Sequence, residues 1–173
     1  GSDTGLEARV LARWAVTGYH ARPEQRGELA DRAVAVARSA GDSQALGQAL
    51  SARLYVRWGT EPAEVVRPVA DEIVALAEAT GDRERAVDGR LWRLIALLEL
   101  GELTEAEREL HAVDRDAEAL RQPLYRLLAA SRRSTLALLR GRPEEALAHA
   151  KAARQIGHRG NEPDTDAVYW GQA

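Results

Sequence analysis

Ser39-Ala-Gly-Asp42 recurs as Ala79-Thr-Gly-Asp82, and the interval between the two stretches is 40 residues. Leu100-Gly-Glu102 and Arg140-Gly-Arg142 are separated by the same interval. In the first two stretches the glycine stands where a helix can end in the left-handed conformation, and the aspartate after it is a favourable residue to cap the next helix. The recurrence therefore predicts a helical repeat with a period of about 40 residues.

Aligning the chain on itself at this period reveals a stripe of small or aliphatic residues in every repeat. The three columns of the stripe are Ala30, Ala70, Leu110 and Ala150; Ala33, Ile73, Val113 and Ala153; and Ala37, Ala77, Ala117 and Gly157. Columns three and four positions apart lie on one face of a helix. The stripe indicates a helix that packs closely against a neighbour.

Each period divides into two helices. The first helices are predicted at 5–19, 44–58, 84–99 and 123–139, and the second helices at 24–40, 62–79, 103–119 and 143–156. Pro23, Pro62, Pro123 and Pro143 fall in first-turn positions, where proline is tolerated. Pro68 falls in the second turn, where it should bend its helix or delay the start. No segment alternates in polarity as a strand would.

These elements predict an all-α fold, a right-handed superhelix of antiparallel helical hairpins that forms a single repeat domain over residues 1–173. The repeats are expected at 5–42, 43–82, 83–122 and 123–162, with a truncated fifth repeat at 163–173. The absence of Met and the Gly1-Ser2 start indicate a fragment of a longer protein.

The pattern formed by Gly141, Ala146 and Ala153 resembles the tetratricopeptide (TPR) signature, and residues 101–113 repeat it with Val113 in place of the last alanine. Arg26 and Val66 stand where the first alanine would be in the two earlier repeats. Leu91-Trp-Arg93, Glu99-Leu-Gly101, Arg121-Gln-Pro-Leu-Tyr125 and Gly141-Arg-Pro-Glu-Glu-Ala146 are similar to the helical regions of large bacterial LuxR-type regulators and related signalling ATPases. The resemblance implies a sensor or protein-interaction module of a cytoplasmic transcriptional regulator or signalling protein.

The residue inventory argues against several other classes of protein. The chain has no Cys, and none of its histidines, His20, His111, His149 and His158, forms the i, i+4 pair of a helical metal site. The phosphate loop and the Gly-x-Ser-x-Gly elbow are both absent. We therefore expect no enzyme activity, metal or cofactor. No apolar run approaches a membrane span, and the net charge of −3 argues against direct nucleic-acid binding.

Arginine dominates the candidate binding residues. Arg13, Arg53, Arg93 and Arg133 recur at intervals of 40 on successive first helices, and Arg57 and Trp58 lie beside Arg53 at the end of its helix. One interpretation is a ladder that faces the groove and binds carboxylate or phosphate groups of a protein, a peptide or a small anionic metabolite. The alternative is that each arginine pairs with an acidic residue of the adjoining helix.

The four tryptophans also lie on predicted first helices. Trp14 and Trp92 are expected in the core, because a chain without Phe needs them for bulky packing. Trp58 ends its helix beside Gly59 and fits either the core or a binding surface. Trp170 is expected to be exposed, because its covering helix is missing.

Charge is distributed unevenly along the chain. Residues 1–120 carry 15 Arg and 22 acidic residues, net −7, whereas residues 121–159 carry nine basic and two acidic residues, net +7. Val168, Tyr169 and Trp170 lie just beyond the basic segment. A repeat end without its neighbour exposes apolar surface, so we expect weak self-association through the C-terminal end.

Overall fold

The computed structural model describes residues 2–18 and 22–171, with Ser2 described by its backbone alone. Within these ranges the elements are α1 (Ser2–Thr17), α2 (Pro23–Ala40), α3 (Ser43–Val56), α4 (Ala63–Thr80), α5 (Arg83–Glu99), α6 (Leu103–Leu120), α7 (Pro123–Leu139), α8 (Pro143–Gly160) and α9 (Thr165–Trp170), with no strand. The all-α prediction is confirmed, and the helices pack in consecutive pairs.

The helix ends follow the predicted signals closely. Gly41 and Gly81 adopt φ values of 66° and 69° after α2 and α4, and Asp42 accepts a 2.9 Å hydrogen bond from the backbone N–H of Ala45 at the start of α3. Pro68 lies inside α4, which begins at Ala63, so the proline does not delay the helix.

The largest difference from prediction is at α8, which was expected to end at residue 156 and continues to Gly160. His158 and Arg159 place basic groups in its last turn, where they favour the helix dipole. Gly157 is kept within the helix by packing, because a Cβ there would collide with the side chain of Thr165 and lie 2.6 Å from Leu127 Cδ1.

The chain folds as two compact units, Gly1–Ala96 and Leu97–Ala173. In the first unit α1 pairs with α2, and α3 packs on both of these helices and on α4. The core there is rich in alanine, which lets helix axes approach closely; one cluster comprises Ala8, Leu11, Ala12, Ala33, Ala37, Ala45, Ala49 and Ala52. A neighbouring cluster contains Leu50, Leu54, Ala70, Ile73 and Trp92.

In the second unit α7 pairs with α8, α6 packs on α7, and α9 packs mainly on α8. Ser134 of α7 is fully buried, and its hydroxyl donates a 2.8 Å hydrogen bond to the backbone carbonyl of Ala146 in α8. Across both units all twelve residues of the predicted small-residue stripe are buried. The stripe therefore marks the packed face of the second helix in each hairpin, as the sequence predicted.

The first repeat departs from the period by one residue. α1 ends at Thr17 and α3 at Val56, which is 39 positions later, because five residues separate α1 from α2 and six separate α3 from α4. The buried faces agree with this offset, since Ala12 and Ala15 correspond to buried Ser51 and Leu54. From α2 onward the interval of 40 holds in the buried stripe.

Arg26 explains how the first hairpin tolerates a large residue at a small-residue position. Its Nε donates to the carbonyl of Ala15 at 2.8 Å and its Nη2 donates to that of Val16 at 3.1 Å. The guanidinium thus satisfies carbonyls that the last turn of α1 leaves without helical partners.

Candidate functional site

The first unit contains a groove of about 190 Å³ on its first helices. The groove is lined by Ala12, Arg13 and Val16 of α1, by Gln48, Ser51, Ala52 and Tyr55 of α3, and by Arg85, Asp88 and Trp92 of α5. The helix register explains this lining, since positions 12, 13 and 16 of α1 correspond to positions 51, 52 and 55 of α3 after the 39-residue offset. Equivalent faces of consecutive first helices therefore meet at the groove.

The floor of the groove is apolar. Ala12 and Ala52 are buried, and their small side chains leave the space that the cavity occupies. Trp92 is 8% exposed and packs with Leu50 and Leu54, so the prediction that it belongs to the core is confirmed. One surface of the Trp92 side chain remains available to the groove.

Two exposed aromatic side chains lie near the Trp92 edge of this groove. Tyr55 is 47% exposed and lines the cavity directly. Trp58 is 57% exposed and contacts Trp92 edge-on, with ring centroids 5.7 Å apart and an interplanar angle of 84°. Trp58, which the sequence left open between core and surface, therefore has one edge on the core and the rest of its ring in solvent.

Trp14 does not belong to the core, and that prediction was wrong. Its side chain is 57% exposed, because the 39-residue offset places it at the position of Arg53 rather than at that of buried Leu54. The same offset makes Arg13 equivalent to Ala52. Arg13 thus recurs with Arg53 in the sequence but does not occupy the same place in the structure.

Arg13 is the cation of the groove that is available to a ligand. Its side chain is exposed, and no carboxylate within residues 2–18 and 22–171 lies within ion-pair distance of it. The other groove cation, Arg85, pairs with Asp88 at 3.0 Å. The Ser51 hydroxyl is engaged too, since it donates to the carbonyl of Gly47 at 3.1 Å.

The remaining arginines of the column pair with carboxylates of the preceding hairpin. Arg53 Nε lies 3.3 Å from Asp31 Oδ1, and Arg93 Nε lies 2.6 Å from Asp71 Oδ1. Arg133 pairs in the same way with Asp114. These pairs give three members of the column a role in joining α3 to α2, α5 to α4 and α7 to α6, while a binding role for them stays a prediction.

Arg57 extends the first of these pairs into a four-residue cluster. It pairs with Asp31, and Glu61 Oε1 lies 3.8 Å from Arg57 Nε and 2.8 Å from Arg53 Nη2. The two arginines and two carboxylates balance in charge. The cluster therefore has no excess positive charge to offer an anion, in contrast to Arg13.

The second unit contains a cavity of about 180 Å³ among α6, α7 and α8. It brings together His111 and His149, a proximity that their separate places in the sequence did not suggest. Its charged groups are paired: Arg133 with Asp114, Arg140 with Glu107 at 2.8 Å, and Glu145 with Arg142 at 3.4 Å and with His149 at 3.7 Å. The arginines and carboxylates of this cavity are thus paired with one another or with His149.

The described part of the chain contains neither a metal-binding cluster nor a helix that could cross a membrane. Among the residues that the structure describes, no three His, Cys, Asp or Glu side chains are arranged to hold a metal ion. His20 lies outside them. The described helices also include none with the length and apolar character that crossing a bilayer demands.

The candidate site is therefore the groove of the first unit, with Tyr55 in its lining, Trp58 against Trp92 at its edge, and Arg13, which has no ion-pair partner among the residues that the structure describes. The sequence matches no protein-family model and no curated protein.

Proposed function

We propose that the chain is a non-catalytic, TPR-like scaffold that binds a peptide segment of a partner protein in the groove of its first unit. The observation that supports the proposal is the exposure of Tyr55 and Trp58 at the groove that Arg13 lines, since Arg13 has no ion-pair partner within residues 2–18 and 22–171. Tyr, Trp and Arg are the residue types that contribute most binding energy at protein interfaces. Arg13 and Tyr55 line the groove and Trp58 contacts Trp92 at its edge, so the three side chains offer a surface suited to a partner.

The groove favours a particular chemistry in that partner. Arg13 supplies a guanidinium for an Asp or Glu side chain or for a terminal carboxylate. Ala12, Val16 and the exposed surface of Trp92 supply an apolar floor for a neighbouring side chain. We therefore propose an acidic residue next to an apolar one as the recognised feature.

The size of the groove favours a peptide over a metabolite. Small-molecule pockets commonly enclose about 300–1,000 Å³. The groove measures about 190 Å³, which suits one inserted side chain while the rest of a peptide lies along the helices. A small anionic metabolite held by Arg13 is the alternative ligand.

The wider context follows the resemblance noted in the sequence. We propose that the hairpins stack as a right-handed superhelix and that the module belongs to a larger cytoplasmic transcriptional regulator or signalling protein. In such a protein, occupation of the groove would be the input that the scaffold reports to its other domains.

The test is selection of peptides from a random displayed library on the purified chain, followed by titration of the selected peptides. Selected sequences should be rich in Asp or Glu beside an apolar residue. Arg13→Gln should weaken their binding by about 1.5–3 kcal/mol, the value of a charge-assisted hydrogen bond, which is roughly a 10- to 150-fold loss. Arg108→Gln is the matched control, because Arg108 is exposed on α6 and pairs with Glu105 of its own helix.

The alternative, binding of a small anionic metabolite, is tested by measuring melting temperatures. A panel of anionic metabolites should leave the melting temperature unchanged if the groove binds peptides. Stabilisation by one metabolite that Arg13→Gln abolishes would favour the small-molecule function instead. Selection of peptides whose binding ignores both Arg13→Gln and Tyr55→Ala would overturn the assignment of the groove.

A further inference from the structure

Arg132 lies in the middle of α7, and its side chain is partly buried. Among the residues that the structure describes, Arg132 makes no hydrogen bond and no ion pair. Every other partly buried arginine in the described ranges, from Arg26 in α2 to Arg154 in α8, makes at least one such contact. Arg132 is therefore an exception to the way in which this chain accommodates arginine.

The guanidinium of Arg132 is shielded from water at one of its nitrogens. Nε is fully buried and has no hydrogen-bond partner. Nη1 and Nη2 are not closed off in this way, so solvent or a ligand can reach them. Burial lowers the pKa of Arg132 from its ordinary value, and no neighbouring carboxylate offsets that effect. The group stays charged at neutral pH, because the ordinary pKa of arginine is far higher.

A partly buried charge without a counterion lowers the stability of the fold, because it loses hydration and gains no partner. The adjacent Arg133 avoids this cost by pairing with Asp114. Arg132 has no such carboxylate within the described ranges. An anionic group from outside the chain would supply the missing partner.

The face of α7 that carries Arg132 corresponds to the face of α3 that lines the groove of the first unit. Arg132 is 80 residues after Ala52, and Thr135 is 80 residues after Tyr55. Ala52 and Tyr55 both line that groove. The second unit thus places a guanidinium on a helix face that in the first unit is open to a ligand.

From the unpartnered guanidinium and its place on this face, we propose that the second unit binds the carboxylate or phosphate group of an anionic ligand at Arg132. Nη1 and Nη2 donate two parallel hydrogen bonds to two oxygens of that group, which is the geometry that favours arginine over lysine. The site is separate from the peptide groove of the first unit and does not depend on Arg13.

Nuclear magnetic resonance of the arginine Nε–Hε groups measures binding at single side chains. An isotope-labelled chain is titrated with sodium phosphate, with sodium citrate and, at matched ionic strength, with sodium chloride. The Arg132 signal, identified by its absence from Arg132→Met, should shift to saturation with phosphate, citrate or both, and should not respond to chloride. The probe that binds more tightly shows whether phosphate or carboxylate is the preferred group.

The melting temperature tests the cost of the unpaired charge. Arg132→Met keeps a long apolar side chain and removes the charge, so in chloride it should melt higher than wild type by at least about 2 °C. The variant should also bind the preferred probe at least about ten-fold more weakly, because it lacks the charge-assisted hydrogen bonds.

Two controls separate this site from its surroundings. Arg133→Met loses the pair with Asp114, so it should gain no stability and should bind the probe as wild type does. Arg13→Gln should also bind the probe normally, because it alters only the first unit. An Arg132 signal that ignores both phosphate and citrate, a response to chloride of equal size, or an Arg132→Met variant that melts below wild type would overturn the inference.

Discussion

Ala146 offers a direct test of the close packing between α7 and α8. The residue is 1% exposed, and its carbonyl accepts the hydrogen bond from buried Ser134. We expect Ala146→Leu to destabilise the second unit, because the larger side chain has no space between the two helices. Moving the helices apart to admit it would also separate Ser134 from its acceptor.

The expected loss of folding stability on Ala146→Leu is the sum of these two effects. Overpacking a close-packed core costs about 1–3 kcal/mol. A buried hydroxyl that loses its partner costs about 1–3 kcal/mol more. The sum of about 2–6 kcal/mol should lower the melting temperature by roughly 4–24 °C in a chain of this length.

Thermal unfolding followed by circular dichroism measures the change, and two variants separate its causes. Ala148→Leu changes an exposed position of the same helix and should stay within about 0.5 kcal/mol of wild type. Ala106→Leu should cost only the overpacking term, about 1–3 kcal/mol, because Ala106 is fully buried and the sequence has no serine 40 positions before Ser134.

The two controls also define what would refute the reasoning. If Ala146→Leu melted at the temperature of Ala148→Leu, position 146 would not lie between packed helices. If Ala106→Leu and Ala146→Leu were equally destabilised, the Ser134 hydrogen bond would contribute nothing.

Three further predictions concern helix ends and ion pairs. Arg121 ends α6 with φ 56°, so Arg121→Gly should relieve left-handed strain and raise stability by about 0.5–1 kcal/mol in a denaturant titration; a loss would show that the side chain matters more than the backbone. Hydrogen bonds from the Ala45 amide and the Arg9 guanidinium hold the pKa of Asp42 below its usual value, so its stabilising contribution is complete at neutral pH and is lost as pH falls through that lowered pKa. Asp42→Asn should therefore differ most from wild type at neutral pH, and a difference that widened in acid would contradict this sign. Arg93→Ala with Asp71→Ala in a double-mutant cycle should show a coupling of about 0–1 kcal/mol, since Asp71 is half exposed; a larger coupling would make the pair a major stabiliser.

The helices could be read from the sequence because local and long-range signals agree. Glycine and proline set the helix ends, and the small residues at Ala30, Ala33 and Ala37 recur on a face that must be packed. Such signals act within one helix or between adjacent helices. The periodicity of the sequence therefore predicts the helix ends and the packed helix faces directly.

The groove was only partly predictable. Arg13 and Trp58 were predicted as binding residues from their residue type. Nothing in the local sequence around Gln48, Tyr55 and Asp88 predicts that they line a binding site. They come together through the packing of α1, α3 and α5. One sequence pattern could have indicated it, since Gln48 and Asp88 share a column, as do Ala52 and Trp92, and neighbouring columns on first helices form one surface.

The errors in the first repeat have a single cause: five residues separate the end of α1 from the start of α2, whereas six separate α3 from α4. A shift of one residue turns a helix by about 100°, because a turn takes 3.6 residues. That rotation moves Trp14 from a core position to the outer face and moves Arg13 from the ion-pair column to the wall of the groove. Arg13 is thereby free of the carboxylates that hold Arg53 and Arg93. The one-residue difference in spacing thus accounts both for the position of Arg13 in the groove, without an ion-pair partner among the described residues, and for the exposure of Trp14.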